Sequence, residues 1–246
     1  MKIGEPFIHL LEVDSTNNYA HSLLKSGMVT NGTVIFADNQ LKGKGQSGKQ
    51  WQSNLRENIL LSIILDISFI SINKQFNIIA FAALGVYDFF SKYAVEGTAI
   101  KWTNDLYWND KKAGGVLIET VNHQSKRYAI VGIGININQT SFHPSLPNPV
   151  SLKQITGKNH EVLSLTNELS NAILIRYNQL ISINSSNLIK EYNQCLYKKD
   201  KQVYLKKGNI KFTCIIKNVN EFGELVVQSG IQDSFKFGEV EWIIEK

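Results

Sequence analysis

The sequence predicts an α+β fold: a mixed β-sheet with packed helices, followed by a small C-terminal β-barrel. Three observations lead there. Apolar stretches of strand length recur between positions 34 and 137, two longer stretches carry helical spacing, and beyond Asp200 the chain turns to short alternating segments separated by Gly208, Gly223 and Gly230. A division at 198 is expected, with a larger domain over 1–198 and a terminal β domain over 199–246.

The elements follow in order. Asp14-Ser15-Thr16-Asn17-Asn18 offers capping side chains for a short helix; the residues alone leave open whether it does more than cap. Residues 34–37 read as a short buried strand and 58–65 as a longer one. The run 74–93 is too long for a strand and places Phe76, Ile79, Ala83, Val86 and Phe90 at helical spacing, so it is a largely buried helix. After Gly97 come strands at 99–102, 106–108, 115–121 and 128–137, with Asn109-Asp110-Lys111-Lys112 as a polar turn. Three of the four prolines fall in 142–149, a loop. A second helix spans 165–181, capped by Ser164, with Leu165, Leu169, Ala172, Ile173, Tyr177 and Leu180 on one stripe; a shorter one covers 188–196. Terminal strands are expected at 202–205, 211–217, 224–228 and 234–242, with Phe212, Phe222, Phe235 and Phe237 filling their core.

Composition excludes several classes. Two cysteines and five histidines without H-x-x-x-H spacing supply neither a disulfide framework nor a zinc site. Positions 1–12 lack a secretory pattern, and the apolar stretch 58–72 is interrupted by Asp66, so a cytoplasmic protein without membrane association is expected. The net charge of +5 is modest, but lysines cluster at 42, 44 and 49 and again at 198, 199, 201, 206, 207 and 211. Such clusters attract phosphate groups, nucleic acid or an acidic protein, or are simply solvated.

The stretch "KGKGQSGKQW" matches G-x-G-x-x-G through Gly43, Gly45 and Gly48, and misses a P-loop only because Gln50 replaces the magnesium-binding hydroxyl. Both readings need a helix next, to receive phosphate at its N-terminus. Here a polar segment leads into a strand, so context rejects both. What survives is a glycine-rich loop whose N–H groups can approach an anion, with charge from Lys44 and Lys49; an ordinary basic loop is the alternative. In "KWTND", Lys101 between apolar Ile100 and Trp102 needs a counter-charge: a carboxylate or phosphate ligand, or a structural salt bridge to Asp105. In "VGIGININ", Gly132 and Gly134 mark a close approach or a bulge, and Asn136 can hydrogen-bond a purine edge. No Ser-His-Asp set suggests itself.

Taken together and in order, "DSTNN", the loop from Gln40 to Trp51, "KWTNDLYWNDKKAGGVLIE" and "GIGININ" resemble the biotin–protein ligases, over nearly the whole chain. The resemblance implies a class II aminoacyl-tRNA synthetase-like catalytic domain with an SH3-like C-terminal barrel. It implies that biotin and MgATP give biotinyl-5′-AMP and pyrophosphate, after which a lysine of a biotin carboxyl carrier domain takes the biotin. The implied biotin-binding residues are Ser15, Thr16, Asn17, Gln40, Gly43, Lys44, Gly45, Gln46, Lys101 and Gly115. Lys101 would be catalytic, bridging the biotin carboxylate and the α-phosphate. Lys44, Lys49, Trp51, Asn104, Lys112 and Asn136 would serve the nucleotide; Asn104 and Asp105 would fix Lys101 or help hold Mg2+, with Asp105 as the metal ligand. Two departures stand out: Lys44, Gln46, Ser47 and Lys49 replace an arginine-rich loop, losing bidentate phosphate contacts and suggesting looser adenylate retention, and Thr103 replaces a common proline.

Only thirteen residues precede "DSTNN", so a ligase without a DNA-binding repressor domain, and without a nucleic-acid partner, is expected. A homodimer is left open. The rival within the enzyme class is a lipoate ligase or octanoyltransferase, whose R-R-x-[ST]-G-G-G segment or motif-borne cysteine is lacking. A nucleic-acid-binding role for the basic terminal domain is the rival from another class.

Overall fold

The Ile- and Leu-rich run of the sequence sits in the interior of a seven-stranded sheet, because its side chains are largely apolar on both faces and only an interior strand buries both. The computed structural model describes residues 2–182, 185–230 and 232–243. In chain order the large sheet comprises β1 (Phe7–Leu10), β2 (Val34–Ala37), β3 (Asn58–Asp66), β4 (Thr98–Lys101), β5 (Asp105–Trp108), β6 (Lys111–His123) and β7 (Lys126–Asn136). Its spatial order is β1-β2-β3-β7-β6-β5-β4, with β1 parallel to β2 and every other pair antiparallel. Helices accompany it: α1 (Thr16–Ser26), α2 (Phe76–Ser91), α3 (Leu152–Thr156), α4 (Val162–Ile181) and α5 (Ser185–Gln194).

Period-two alternation gives the sheet two different faces. Ile59, Leu61, Ile63 and Leu65 of β3, with Val131, Ile133 and Ile135 of β7, join the main core shared with α2 and α4. Ile64 and Ile130 face the other way and pack with Ala20 and Leu24 of α1. On the main-core side Gly85 of α2 allows close helix contact: a Cβ there would meet Ile173 Cδ1 at 2.7 Å. Arg176 of α4 bonds Asp88 of α2 at 2.5 Å and also pairs with Glu191 of α5, tying three helices together.

The C-terminal strands β8 (Gln202–Lys207), β9 (Ile210–Val219), β10 (Leu225–Gln228), β11 (Ser234–Phe235) and β12 (Glu241–Ile243) form an antiparallel sheet in the order β11-β10-β9-β8-β12. Among the described residues no ladder joins β11 to β12, so the sheet is open where a closed barrel was expected. The segment 234–242 breaks into two strands of two and three residues around Gly238, at φ 84°, and such short ends leave little backbone for closure. Phe235 is buried and stacks with Phe212 at 5.7 Å, but Phe222 and Phe237 are exposed, contrary to the expected four-phenylalanine core. This sheet is stitched to the larger one. Trp102 Nε1 donates to the Gly223 carbonyl at 2.9 Å, and Asn193 exchanges two hydrogen bonds with the Val219 backbone, at 2.8 and 2.6 Å.

Other boundaries differ for identifiable reasons. The Asn109–Lys112 turn is shorter than expected, since β6 already begins at Lys111 and Asn109 takes the left-handed turn at φ 51°. Helix α4 starts before Ser164: the Glu161 carboxylate caps it, accepting from the N–H groups of Leu163 and Ser164. Helix α3 lies within a region without apolar periodicity, yet Ser151 and Gln154 form a capping box that its S-x-x-Q spacing spells out. Strand β1 is a half-buried edge strand of four residues, too brief for its pattern to show. Among the described residues no helix is long and apolar enough to cross a membrane.

Candidate functional site

On the α1 side of the large sheet, one cross-strand row reads Lys101, Asp105, Gly115, Gly134 and Leu60, from β4 to β3. The neighbouring row places Leu117 and Ser62 on either side of Gly132. Directly paired residues share a face, so three glycines strip the middle of this surface of side chains. The register runs unbroken through Gly132 and Gly134, which rules out a bulge and leaves close approach as their purpose. A Cβ on Gly132 would collide with Asn17 Oδ1, and one on Gly134 would lie 2.6 Å from the Trp51 ring.

The "DSTNN" segment is more than a cap. Ser15 is the N-cap of α1 but makes no capping side-chain bond; Ser15, Thr16 and Asn17 are all buried. Gln40 Oε1 accepts from the Thr16 N–H at 2.8 Å and from its hydroxyl at 3.1 Å. The Ser62 hydroxyl lies 2.7 Å from Thr16 Oγ1 and 2.6 Å from Asn17 Oδ1. Asn17 Nδ2 donates to Glu119 at 2.6 Å, and the same carboxylate lies 3.7 Å from Lys44 and 3.4 Å from His21. Glu119 therefore joins α1, the sheet and the glycine loop. Ser62 escaped the sequence reading because a serine in an apolar strand carries no local signal, whereas Glu119 closes the motif that begins at Lys101 and lacked only a role, since its partners lie far off in the chain.

The glycine loop is a small hairpin. Lys44 pairs with Gln50, the Gly45 N–H donates to the Lys49 carbonyl at 2.7 Å, and the Trp51 N–H donates to the Gly43 carbonyl at 2.9 Å. Ser47 and Gly48 take left-handed conformations at its tip, φ 54° and 75°. Part of the loop's N–H set is thus spent internally, so its lysines carry more of any affinity for anions than the sequence suggested. Trp51 closes the hairpin and lies against Gly134; its buried Nε1 has no hydrogen-bond partner among the described residues.

At the other end of the row, Lys101 is half-buried. Burial pulls its pKa down to about 8; the Asp105 charge opposes this, while Lys112 and Lys49 add to it by repulsion. Of the counter-charges open to Lys101, the structural salt bridge to Asp105 is not the contact observed: Asp105 Oδ1 accepts from Lys112 Nζ at 2.6 Å, and Lys101 Nζ donates to the Tyr107 hydroxyl at 3.2 Å. Asp105 accordingly acts on Lys101 through its charge alone. Three cations gathered around one carboxylate leave an excess of positive charge, a setting that an anionic ligand would relieve.

Two expected nucleotide contacts are interior groups. Asn104 is buried, donates to the Val116 carbonyl and accepts from the Thr103 hydroxyl at 3.0 Å, so it fixes β6 and not Lys101. Asn136 is also buried, and its amide donates to the Val150 carbonyl at 3.1 Å. Among the described residues no three His, Cys, Asp or Glu side chains gather as a metal cluster.

Known proteins place this geometry. A family model described as the biotin/lipoate A/B protein ligase family matches residues 11–136, just over half of the chain. The Bifunctional ligase/repressor BirA of Bacillus spizizenii is 34% identical over 160 residues, covering 63% of this chain and 49% of its own. The chain thus spans about half the length of that relative, and 48% of the Biotin--[acetyl-CoA-carboxylase] ligase of Mycobacterium tuberculosis, which is 26% identical over 131 residues. Among solved structures, the biotin protein ligase from Aquifex aeolicus in complex with biotin and ATP superposes with a TM-score of 0.79 at 26% identity, covering 96% of this chain and 97% of that one. The matched region contains the glycine rows, the "DSTNN" network, the loop and Lys101, and on that ground the chain belongs to the biotin/lipoate A/B protein ligase family.

Proposed function

We propose that the protein is an ATP-dependent biotin–[carboxyl-carrier protein] ligase. The observation that carries this reading is Lys101, a half-buried ammonium among excess positive charge at the end of a glycine-floored row. In the first step an oxygen of the biotin carboxylate attacks the α-phosphorus of ATP; the bond to the β-phosphate oxygen breaks and pyrophosphate leaves. Both reactants are anions. A cation fixed between them offsets their repulsion and stabilises the charge that builds on the phosphoryl oxygens, and removing such a group costs roughly 10²–10³ in rate. In the second step the neutral amine of a carrier-domain lysine attacks the acyl carbon, loses its proton and expels AMP.

Ser15, Thr16, Asn17, Gln40 and the Gly115 floor suit the biotin end, where buried, mutually bonded polar groups fix orientation. Lys44, Lys49 and Lys112 suit the phosphates, and Trp51 offers its ring and free indole N–H beside them. Mg2+ keeps several waters and binds through one or two carboxylates plus substrate phosphates; Asp105 is the carboxylate at this end of the row, and it would have to share its charge between the ion and Lys112, which already bonds its Oδ1. Asp105 would hold the ion, which supplies charge neutralisation on the triphosphate. The division into a catalytic domain, 1–198, and an SH3-like terminal domain, 199–246, is part of this proposal; a repressor role is not.

The test is biotin-dependent exchange between ATP and labelled pyrophosphate, beside Lys101→Ala and with lipoate or octanoate replacing biotin. Exchange with biotin, lost in Lys101→Ala, is the expected outcome. Exchange with lipoate alone would move the protein to the other branch of its family, and none with any acid would overturn adenylation.

A further inference from the structure

Lys101 is held from outside its own sheet. Its ammonium lies 4.9 Å from the centre of the Tyr107 ring and 5.5 Å from that of Trp242, which belongs to β12 of the C-terminal sheet. Tyr197 braces both rings, at 5.1 Å from Tyr107 and 5.7 Å from Trp242, and its hydroxyl is anchored on Asp110 at 2.6 Å. Trp242 pairs with Leu205 on β8, a fully buried residue, and packs on the main core. Its indole Nε1 is buried without a partner among the described residues, so the ring's placement is not explained by a hydrogen bond of its own.

The rest of the terminal sheet fixes this contact. The residue after Lys101, Trp102, donates to the Gly223 carbonyl and meets Phe237 edge-on at 6.3 Å, while the Tyr192 hydroxyl of α5 donates to the Thr103 carbonyl at 2.8 Å. The "KWT" segment is therefore gripped on successive residues by groups from later in the chain. An ammonium hydrogen-bonded to the hydroxyl of one ring and set against another ring, whose quadrupole attracts it, keeps few of its rotamers.

We infer that Trp242, together with Tyr107, is a positioning residue for Lys101: the terminal sheet completes the adenylation site by supplying the aromatic wall of a clamp whose other arm is the Tyr107 hydroxyl. This rests on the ligase reading for the consequence, but the clamp itself is testable without substrate. The charged groups that bear on Lys101 are Asp105, Lys112 and Lys49, with the Tyr107 hydroxyl as hydrogen-bond partner. All of them remain when Trp242 is changed. An aromatic face favours the ammonium over the amine, so its removal makes Lys101 lose its proton more easily.

The experiment compares wild type, Trp242→Phe and Trp242→Leu as full chains of matched thermal stability. Competitive acetylation of Lys101 across pH, read by mass spectrometry, gives the titration of that amine directly. In Trp242→Leu the midpoint is expected to fall by roughly half to one pH unit, and in Trp242→Phe it stays near wild type. Biotin-dependent pyrophosphate exchange should show kcat reduced about tenfold or more in Trp242→Leu, with KM for ATP little changed and the phenylalanine variant recovering most of the loss. An unmoved or raised midpoint in the leucine variant overturns the inference, a rise showing that Trp242 only excludes water. Equal impairment of both variants overturns it too. If wild type gives no exchange with biotin, the ligase reading falls while the acetylation result still decides the clamp.

Discussion

Asp105 Oδ1 lies 2.6 Å from Lys112 Nζ, although its cross-strand neighbour on the glycine face is Lys101. The carboxylate thus neutralises one lysine by contact and supports the other only through space. Asp105→Asn removes the charge that holds the Lys101 pKa up while leaving Lys112 and Lys49 to push it down. The alkaline limb of pyrophosphate exchange should therefore move to lower pH, with exchange at neutral pH reduced about tenfold or more. A pH profile of kcat/KM on the variant checks this; an unchanged limb would show that Asp105 exerts no field on Lys101.

The low pKa of Lys101 has two opposite consequences. Activity that needs the ammonium should fall as pH rises through about 8 in the free enzyme, well below the ordinary lysine value of 10.5. Stability behaves the other way. Below pH 8 both states are protonated and burial of the charge is paid in full; between about 8 and 10.5 the unfolded state binds more protons, so stability rises with pH. Lys101→Met should abolish exchange yet raise stability at pH 7 by roughly 1–3 kcal/mol, measured by urea unfolding.

Gly132 and Gly134 are expected to be intolerant of a single methyl group. In Gly132→Ala the new Cβ displaces Asn17 and disturbs its bonds to Ser62 and Glu119. Biotin binding followed by calorimetry should weaken about tenfold to a hundredfold, with a stability loss of about 1–3 kcal/mol. Binding equal to wild type would mean that this floor is not the ligand surface.

Glu119→Gln keeps an acceptor for Asn17 but releases Lys44, the glycine-loop lysine that pairs with β6. Release of biotinyl-AMP in the absence of carrier protein should quicken by a few-fold, the size expected of a partly exposed ion pair. Equal release rates in filter-separation assays would remove Glu119 from the closure of the loop.

Asn104 is predicted to matter for folding and not for nucleotide affinity. Asn104→Ala leaves the Val116 carbonyl without its donor and should cost about 1–3 kcal/mol of stability, while the KM for ATP stays within about twofold of wild type. A large KM change at intact stability would restore the residue to the nucleotide site.

Local patterns determined the presence of the two long helices, read at 74–93 and 165–181 and found at 76–91 and 162–181, together with the central strands and the succession of chemical motifs, because each is written in spacing within one segment. The "GIGIN" alternation already contained the glycine floor, and "KWTND" already contained an uncomfortable lysine. What the sequence alone left undecided is which groups meet across the sheet. Asp105 could have taken Lys101 or Lys112, and side-chain register three strands deep chose Lys112. Glu119 gained three partners from segments up to 102 residues away. Trp242 reached the same lysine from the far end of the chain, a contact that exists only because the terminal sheet docks on β4 and α5. Periodicity reports burial and conformation residue by residue, whereas the balance of charge around Lys101 is a sum over side chains that only the assembled fold brings within a few ångströms.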